Sequence, residues 1–295
     1  MLIKVWYSKI LLQNKNSVKY ILIGEVKGMK KQLLKTLAAG VLVSALCLTS
    51  CGSSSIKMIK IPGEDFKMSA KEITQKQYEK VMGENPSWHQ RSNEDLWYQI
   101  INEDLDDERK KQLKNTSNNP VEFVSWYDAI YFCNKLSEKL GFTPVYAVDG
   151  KTDVATWNYT PHEGESIEGE ISQNLDANGF RLPTVEEWMY AARGGHYYKY
   201  SGSNNLDEVG WYYNNSGRIT HPVAQKKANG YGLYDMSGNV LEWCWDVDPD
   251  GSDDRCCCGG GYVAHDDDCE VYSRDVNDAN AYGSLMGFRI VCNAD

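Results

Sequence analysis

Asn229-Gly230-Tyr231-Gly232-Leu233-Tyr234-Asp235-Met236-Ser237-Gly238-Asn239-Val240-Leu241-Glu242-Trp243-Cys244-Trp245-Asp246 is the stretch whose reading decides the fold. Two turn signals, Asn229-Gly230 and Ser237-Gly238-Asn239, bracket the short run Leu233-Tyr234-Asp235-Met236. From Val240 to Trp245, Leu241, Trp243 and Trp245 alternate with Glu242 and Cys244. Period two places one set of side chains on each face of a strand. Spacing alone therefore gives a tight core hairpin with a heavy aromatic face.

Working outward, three segments read as capped helices. One begins at Thr74 and stops at Gly83. A second is capped by Ser125, with Trp126, Ala129, Ile130, Cys133 and Leu136 at helical spacing. The third runs from Val185 to Arg193, with Thr184 and Glu187 forming a capping box. Cys133 falls on the apolar face and is read as core. Ile56 to Gly63 alternates like a strand, Pro120 to Val124 is a strand candidate, and Phe142 to Gly169 is loop-rich with hairpin signals such as Asp149-Gly150. Asn93 to Asn119 is dense in charge and reads as a solvated helix or loop.

These words also carry a resemblance. Asn-Gly-Tyr-Gly-Leu-Tyr-Asp-Met-Ser-Gly-Asn-Val-Leu-Glu-Trp, from Asn229 to Trp243, resembles the formylglycine-generating-enzyme (sulfatase-modifying-factor) family. So do Glu72 to Ser87 and the Asn178-to-Trp188 run, Asn-Gly-Phe-Arg-Leu-Pro-Thr-Val-Glu-Glu-Trp. The resemblance implies an α+β, C-type-lectin-like fold of the formylglycine-generating-enzyme type, short helices around small antiparallel sheets, over residues 56–295.

The front end reads as an export signal. Lys30, Lys31 and Lys35 precede the apolar run Leu37 to Leu46, and Leu48-Thr49-Ser50-Cys51 closes it. The ending resembles a bacterial lipobox, which makes residues 29–50 a lipoprotein signal peptide and Cys51 the lipidated residue. The apolar run is too short to span a bilayer comfortably. Residues 51–55 then form a tether, and residues 1–28 read as an over-extended start. A lipid-anchored protein of the outer membrane or cell surface is the expectation.

A formal net charge of −10 argues against nucleic acid, whose phosphates need a basic face. Aromatic residues make up 12% of the 295, including nineteen Tyr, which calls for an aromatic core or binding surface. Beyond Cys47 and Cys51 the cysteines are Cys133, Cys244, Cys256, Cys257, Cys258, Cys269 and Cys292. Three in a row cannot bridge one another without strain, and C-x-x-C is absent from the sequence, so neither a disulfide framework nor a zinc site is expected.

Family members hold copper between two C-terminal cysteines five residues apart, after a Gly-Gly pair and an aromatic. Here Gly259-Gly260-Gly261-Tyr262 leads to Ala264 and Cys269. Soft sulfur ligands suit Cu(I), and Ala supplies none. Loss of oxidase activity is expected; the alternative is an exported formylglycine-family enzyme with an altered active site centred on Cys269. His265 beside Asp266-Asp267-Asp268 fixes no catalytic geometry. The family's calcium ligands match the side chains of Asp235 and Glu242 and the carbonyls of Gly238 and Val240. Oxygen donors suit Ca2+, and the competing reading is that these carboxylates brace turns. No cofactor is required.

From Val247 to Leu285 the composition changes: Lys, Gln, Trp, Met, Ile, Phe and Thr vanish while Asp, Cys, Gly, Ala, Ser, Asn and Tyr fill the run. Family features flank it, Trp243-Cys244-Trp245 before and Gly287-Phe288-Arg289 after. This arrangement resembles the variable proteins of diversity-generating retroelements, whose C-terminal segment is rewritten at adenines. It implies a variable region at 255–291 with Tyr262, Val263, Ala264, His265, Asp266, Asp268, Tyr272, Asp275, Val276, Asp278, Tyr282, Gly283 and Ser284 as ligand-binding residues. Val276 is the one marked for burial. The implied function is a monomeric, surface-displayed binder of a protein or other cell-surface ligand, without catalysis, its Tyr residues giving contact area and its Asp residues favouring a basic or hydrogen-bonding partner.

Overall fold

The computed structural model describes residues 6–14, 17–25, 55–90, 111 and 113–294. The signal segment, Cys51 and most of the charged stretch from Asn93 to Asn119 lie outside the described residues. Two units are distinguished, Met1–Ser55 and Ile56–Asp295. In the first, strands β1 (Trp6–Asn14) and β2 (Ser17–Glu25) pair antiparallel.

The second unit is built from short elements. β3 (Met58–Lys60) and β4 (Phe66–Ser69) precede the helices α1 (Gln75–Met82) and α2 (Trp126–Leu140). β5 (Tyr146–Val148) and β6 (Ile171–Gln173) form a two-stranded ribbon. Helices α3 (Val185–Arg193) and α4 (Leu206–Val209) follow. β7 (Leu241–Val247), β8 (Arg255–Cys258), β9 (Arg274–Asn277), β10 (Met286–Gly287) and β11 (Val291–Asn293) complete the chain. The main sheet runs β10-β7-β8-β9, and β11-β4-β3 forms a second. The pairing of β10 with β7 is parallel, a departure from the all-antiparallel expectation.

The helix starts are as the sequence dictates. Thr74, Ser125 and Thr184 each accept from the amide three residues on, and Gln77, Asp128 and Glu187 reach back to close three capping boxes. Each helix then stops at a glycine with positive φ, Gly83, Gly141 or Gly194. Pro120 to Val124 is not a strand: Phe123 has φ +68°, which breaks extended pairing.

The signature hairpin is also redrawn. Leu233 to Met236 does not pair; β7 takes β8 as its antiparallel partner, with Glu242 opposite Cys258 and Trp243 opposite Cys257. Both faces of β7 are covered. Trp243 and Cys257 join the cluster of Tyr78, Trp126, Phe132 and Phe288, while Cys244, Cys256 and Cys258 join that of Met68, Trp188 and Met236. The three consecutive cysteines thus serve as small apolar strand residues. Burial raises the thiols of Cys256 and Cys257, and the seven described cysteines are unbridged.

With both faces covered, Glu242 needs a partner. Arg289 provides it: Nε donates to Oε2 at 2.5 Å and Nη2 to Oε1 at 2.7 Å, and Trp188 Nε1 donates to Oε2 at 2.6 Å. Asp235 and Glu72 share this interior. Burial, with the nearby charges of Asp235 and Glu242, pushes Glu72 well up.

Asp235 Oδ2 accepts from Ala224 N at 2.7 Å while Oδ1 has no partner, and burial lifts this carboxyl to about 6. Its folded pKa exceeds the unfolded one, so the native state holds the proton longer and stability falls as pH rises from about 4 to 6. We predict that Asp235→Asn, also suited to the φ of +58°, raises stability by about 1–2 kcal/mol at pH 7. The gain should vanish below about pH 4, where Asp is protonated in both states; urea melts at the two pH values check it.

Candidate ligand-binding site

A cavity of about 270 Å³ opens where β8 ends and β9 begins. Its floor is Leu241, Cys257 and the Gly259-Gly260-Gly261 turn, and its walls include Val263, Ala264, Asp268, Arg274, Asp275 and Leu285. The turn demands glycine. Gly259 has φ +99° and a Cβ there would meet Trp188 at 3.1 Å; Gly260 has φ +68° and its Cβ would meet Cys269 Sγ at 2.7 Å.

Between the turn and β9 the chain has little regular structure of its own, one short 3-10 turn at Asp267–Cys269. Side chains from outside the segment hold it by its backbone. Ser216 Oγ donates to Tyr262 O at 2.5 Å, and Ser237 Oγ donates to Cys269 O at 2.8 Å. Main-chain groups add to this: Tyr262 N donates to Asn239 O, Tyr213 N to Ala264 O, and Val271 N to Lys199 O, at 2.8, 3.0 and 3.0 Å. The path is thus fixed through carbonyls and amides, and through the buried side chains of Tyr262, Cys269 and Val271, while His265 to Asp268 stay exposed.

The anticipated residues do not all converge. Val263, Ala264, Asp268 and Asp275 line the cavity. His265 and Asp266 are exposed beside it in sequence, the His265 ring 5.4 Å from that of Tyr213. Tyr272, 55% exposed, lies instead beneath the Arg193 guanidinium, 5.3 Å from ring centre to carbon. Tyr282 packs on Phe123 at 5.2 Å, Asp278 is exposed and caps Asn280 N, and Gly283 O accepts from Phe123 N.

Two burial expectations are reversed. Tyr262 is the buried one: its hydroxyl meets Ser284 Oγ at 2.8 Å and its ring is edge-on to His89. Val276 is exposed, because β9 is the edge strand of its sheet. Arg274 and Leu285 line the cavity and were missed as site residues; only the β8–β9 register, with Cys258 opposite Arg274, reveals Arg274 there.

The profile of the Sulfatase-modifying factor enzyme 1-like domain matches residues 47–294. The chain belongs to this family. Among solved structures, Treponema denticola variable protein 1 is similar at 31% identity and TM-score 0.62, covering 82% of this chain and 93% of that one. Among curated proteins, the chaperone protein LppX of Paenibacillus barcinonensis is 38% identical over 267 residues, 82% of this chain and 85% of that protein. The formylglycine-generating enzyme of Mus musculus is 30% identical over 62% of this chain and 46% of its own length. The fold is the C-type-lectin-like, α+β fold of the formylglycine-generating-enzyme type.

Neither metal that the family implies fits the residues present. For calcium, both oxygens of Glu242 are already engaged by Arg289 and Trp188, and a cation between Asp235 and Glu242 would face the guanidinium. The bracing reading is the one the geometry supports. For copper, Ala264 packs against the cluster that buries Cys269, so the second sulfur is missing where it would be needed. The Cys269 thiol is fully buried and pushed up to about 12 by burial and by Asp268 and Asp266, so it stays protonated at neutral pH. Among the described residues no group of three His, Cys, Asp or Glu is placed to hold a metal ion.

Proposed function

We propose that this chain is an exported, lipid-anchored binding protein of the cell surface that performs no catalysis. Cys51 would carry the lipid, and the rewritten segment 255–291 would select the ligand. The observation that carries the reading is the division of labour around the cavity: Ser216, Ser237, Asn239 and Lys199 grip main-chain atoms of Tyr262, Cys269 and Val271, whose own side chains are buried, while His265, Asp266, Asp268 and Tyr272 between and beside them are exposed. Similarity to a protein named for variability and to one named as a chaperone supports binding over formylglycine formation, as does the protonated, unpaired Cys269. Among the described residues no helix is long and apolar enough to cross a membrane. On this reading the ligand is a protein or another surface molecule, taken up by a monomer, and nucleic acid is not a partner.

Rewriting the exposed side chains tests the proposal. A variant combining His265→Asn, Asp266→Tyr, Asp268→Ser, Tyr272→Asp and Asp275→Tyr is predicted to melt within about 3 °C of the parent, as scattered surface changes do. Ser237→Ala alone, which frees the buried Cys269 carbonyl, should cost about 1–2 kcal/mol. Unfolding of the combined variant, with Ser237→Ala harmless, would show that the side chains hold the loop and would contradict the proposal.

A further inference from the structure

A second cleft lies outside the composition-shifted segment, at the C-terminal end of α3. It has a volume of about 190 Å³ and is lined by Tyr190, Arg193, Gly195, His196, Tyr197 and Tyr231. We propose that it binds an acidic sugar unit, a pyranose bearing a carboxylate, with Arg193 taking the carboxylate.

The argument begins with Arg193. Its Nε is shielded from solvent and has no hydrogen-bond partner, and among the described residues Arg193 forms no ion pair. Its recorded charge contact is the Tyr272 ring. Acids are not scarce here: Lys199, six residues on, holds both Asp267 and Glu270 at 3.0 Å. In a chain of net charge −10, an arginine left without a carboxylate beside a cleft is matched to one from outside. The guanidinium's planar fork pairs with a carboxylate through two parallel hydrogen bonds.

The rest of the lining is aromatic. Tyr190 and Tyr231 have ring centres 6.2 Å apart with planes 33° from parallel, and His196 stacks on Tyr198 at 5.2 Å. Tyr197 is 92% exposed, the most exposed of the large hydrophobic side chains among the described residues, so packing does not account for its presence. Gly195 has φ +79°, and a Cβ there would press on Tyr231 at 3.3 Å, so the glycine lets that ring close against the backbone. Flat tyrosine faces suit the C–H face of a pyranose, and the hydroxyls and His196 suit its OH groups. The volume falls below the range of about 300–1,000 Å³ common for drug-sized ligands and so admits one ring. None of the six lining residues belongs to a strand that a peptide could extend, which favours a sugar over an acidic peptide.

Saturation-transfer NMR with glucuronate, glucose and N-acetylglutamate amide tests this on the intact protein. Glucuronate is expected to bind at least about 10-fold more tightly than glucose, equivalent to one carboxylate contact. Arg193→Lys, which keeps the charge and loses the fork, should weaken it by about 5-fold or more. Tyr197→Ala should weaken it as well. Tyr197 is too exposed for its loss to disturb folding, so that variant decides the matter if Arg193→Lys proves unstable. Absence of glucuronate binding, equal binding of glucose, or indifference to both substitutions would overturn the assignment. Tighter binding of N-acetylglutamate amide than of glucuronate would overturn the choice of a sugar. The six lining residues lie outside segment 255–291, but Arg193 rests on Tyr272 of that segment, so the outcomes are read on the parent chain with Tyr272 in place.

Discussion

Arg289→Met is expected to lower the melting temperature by about 10 °C or to abolish soluble expression. Arg289 is fully buried and donates to both oxygens of Glu242, to Ser69 O at 3.2 Å and to Tyr234 O at 2.9 Å. Met fills a similar volume but supplies none of these donors. It would leave Glu72, Asp235 and Glu242 as three buried carboxylates without the guanidinium that neutralises them. Removing one member of a buried ion pair costs about 3–5 kcal/mol, and the two further acids bring the loss to at least the upper end.

The loss also carries a pH signature. Arg289 holds down the raised pKa values of Glu72 and Asp235, so without the guanidinium these two rise further above their unfolded values. The penalty should therefore be greater at pH 8 than at pH 5, and thermal melts by circular dichroism at the two values would show it. A shift below about 2 °C at pH 8 would mean that Glu242 is not held as described.

Gly238→Ala is the second large effect. Gly238 has φ +97°, and a Cβ there would lie 2.2 Å from Trp211 O and 2.9 Å from Trp211 C. The obstacle is backbone, and it cannot step aside, because Asn239 N donates to Trp211 O at 2.7 Å while Gly238 N donates to Gly259 O at 2.7 Å. Strain from the left-handed conformation and displacement of packed backbone together should cost about 3 kcal/mol or more. Relief by movement would pass through Gly259 into the floor of the cavity. Guanidinium melts would measure the loss of stability.

Much of the scaffold was legible because its signals are local. A capping Ser or Thr before an apolar-periodic run fixes each helix start within one stretch of chain; α1, α2 and α3 begin accordingly, and α1 and α3 also end where read, while the end of α2 at Gly141 had not been assigned. The main sheet was not legible. β7 pairs with β8 and β10, and β9 reads Arg-Asp-Val-Asn because an edge strand needs no apolar face. The expectation that Leu233 to Met236 pairs with Val240 to Trp245 looked for the partner nearby, whereas it lies beyond Asp254.

The site was half legible for the same reason. Composition marked the segment, and the cavity residues Val263, Ala264, Asp268 and Asp275 were within it. Burial inside the segment is set by partners far off in sequence. Tyr262 is buried by His89 and Ser284, and Val276 stays exposed for want of a strand beyond β9. The Glu242–Arg289 pair spans 47 residues and was invisible to spacing, and the carboxylate was matched to a calcium ligand through the family resemblance.

The most direct test of the central claim is to sequence the DNA downstream of this gene. If the segment from Arg255 to Val291 is rewritten for binding, a near-copy lies there beside a reverse-transcriptase gene, differing from the coding segment only at adenines. Codons for exposed residues such as His265, Asp268, Tyr272 and Asp275 should differ, and those for Gly259, Gly260 and Arg289 should not. Flanking DNA with neither copy nor reverse transcriptase would contradict the account.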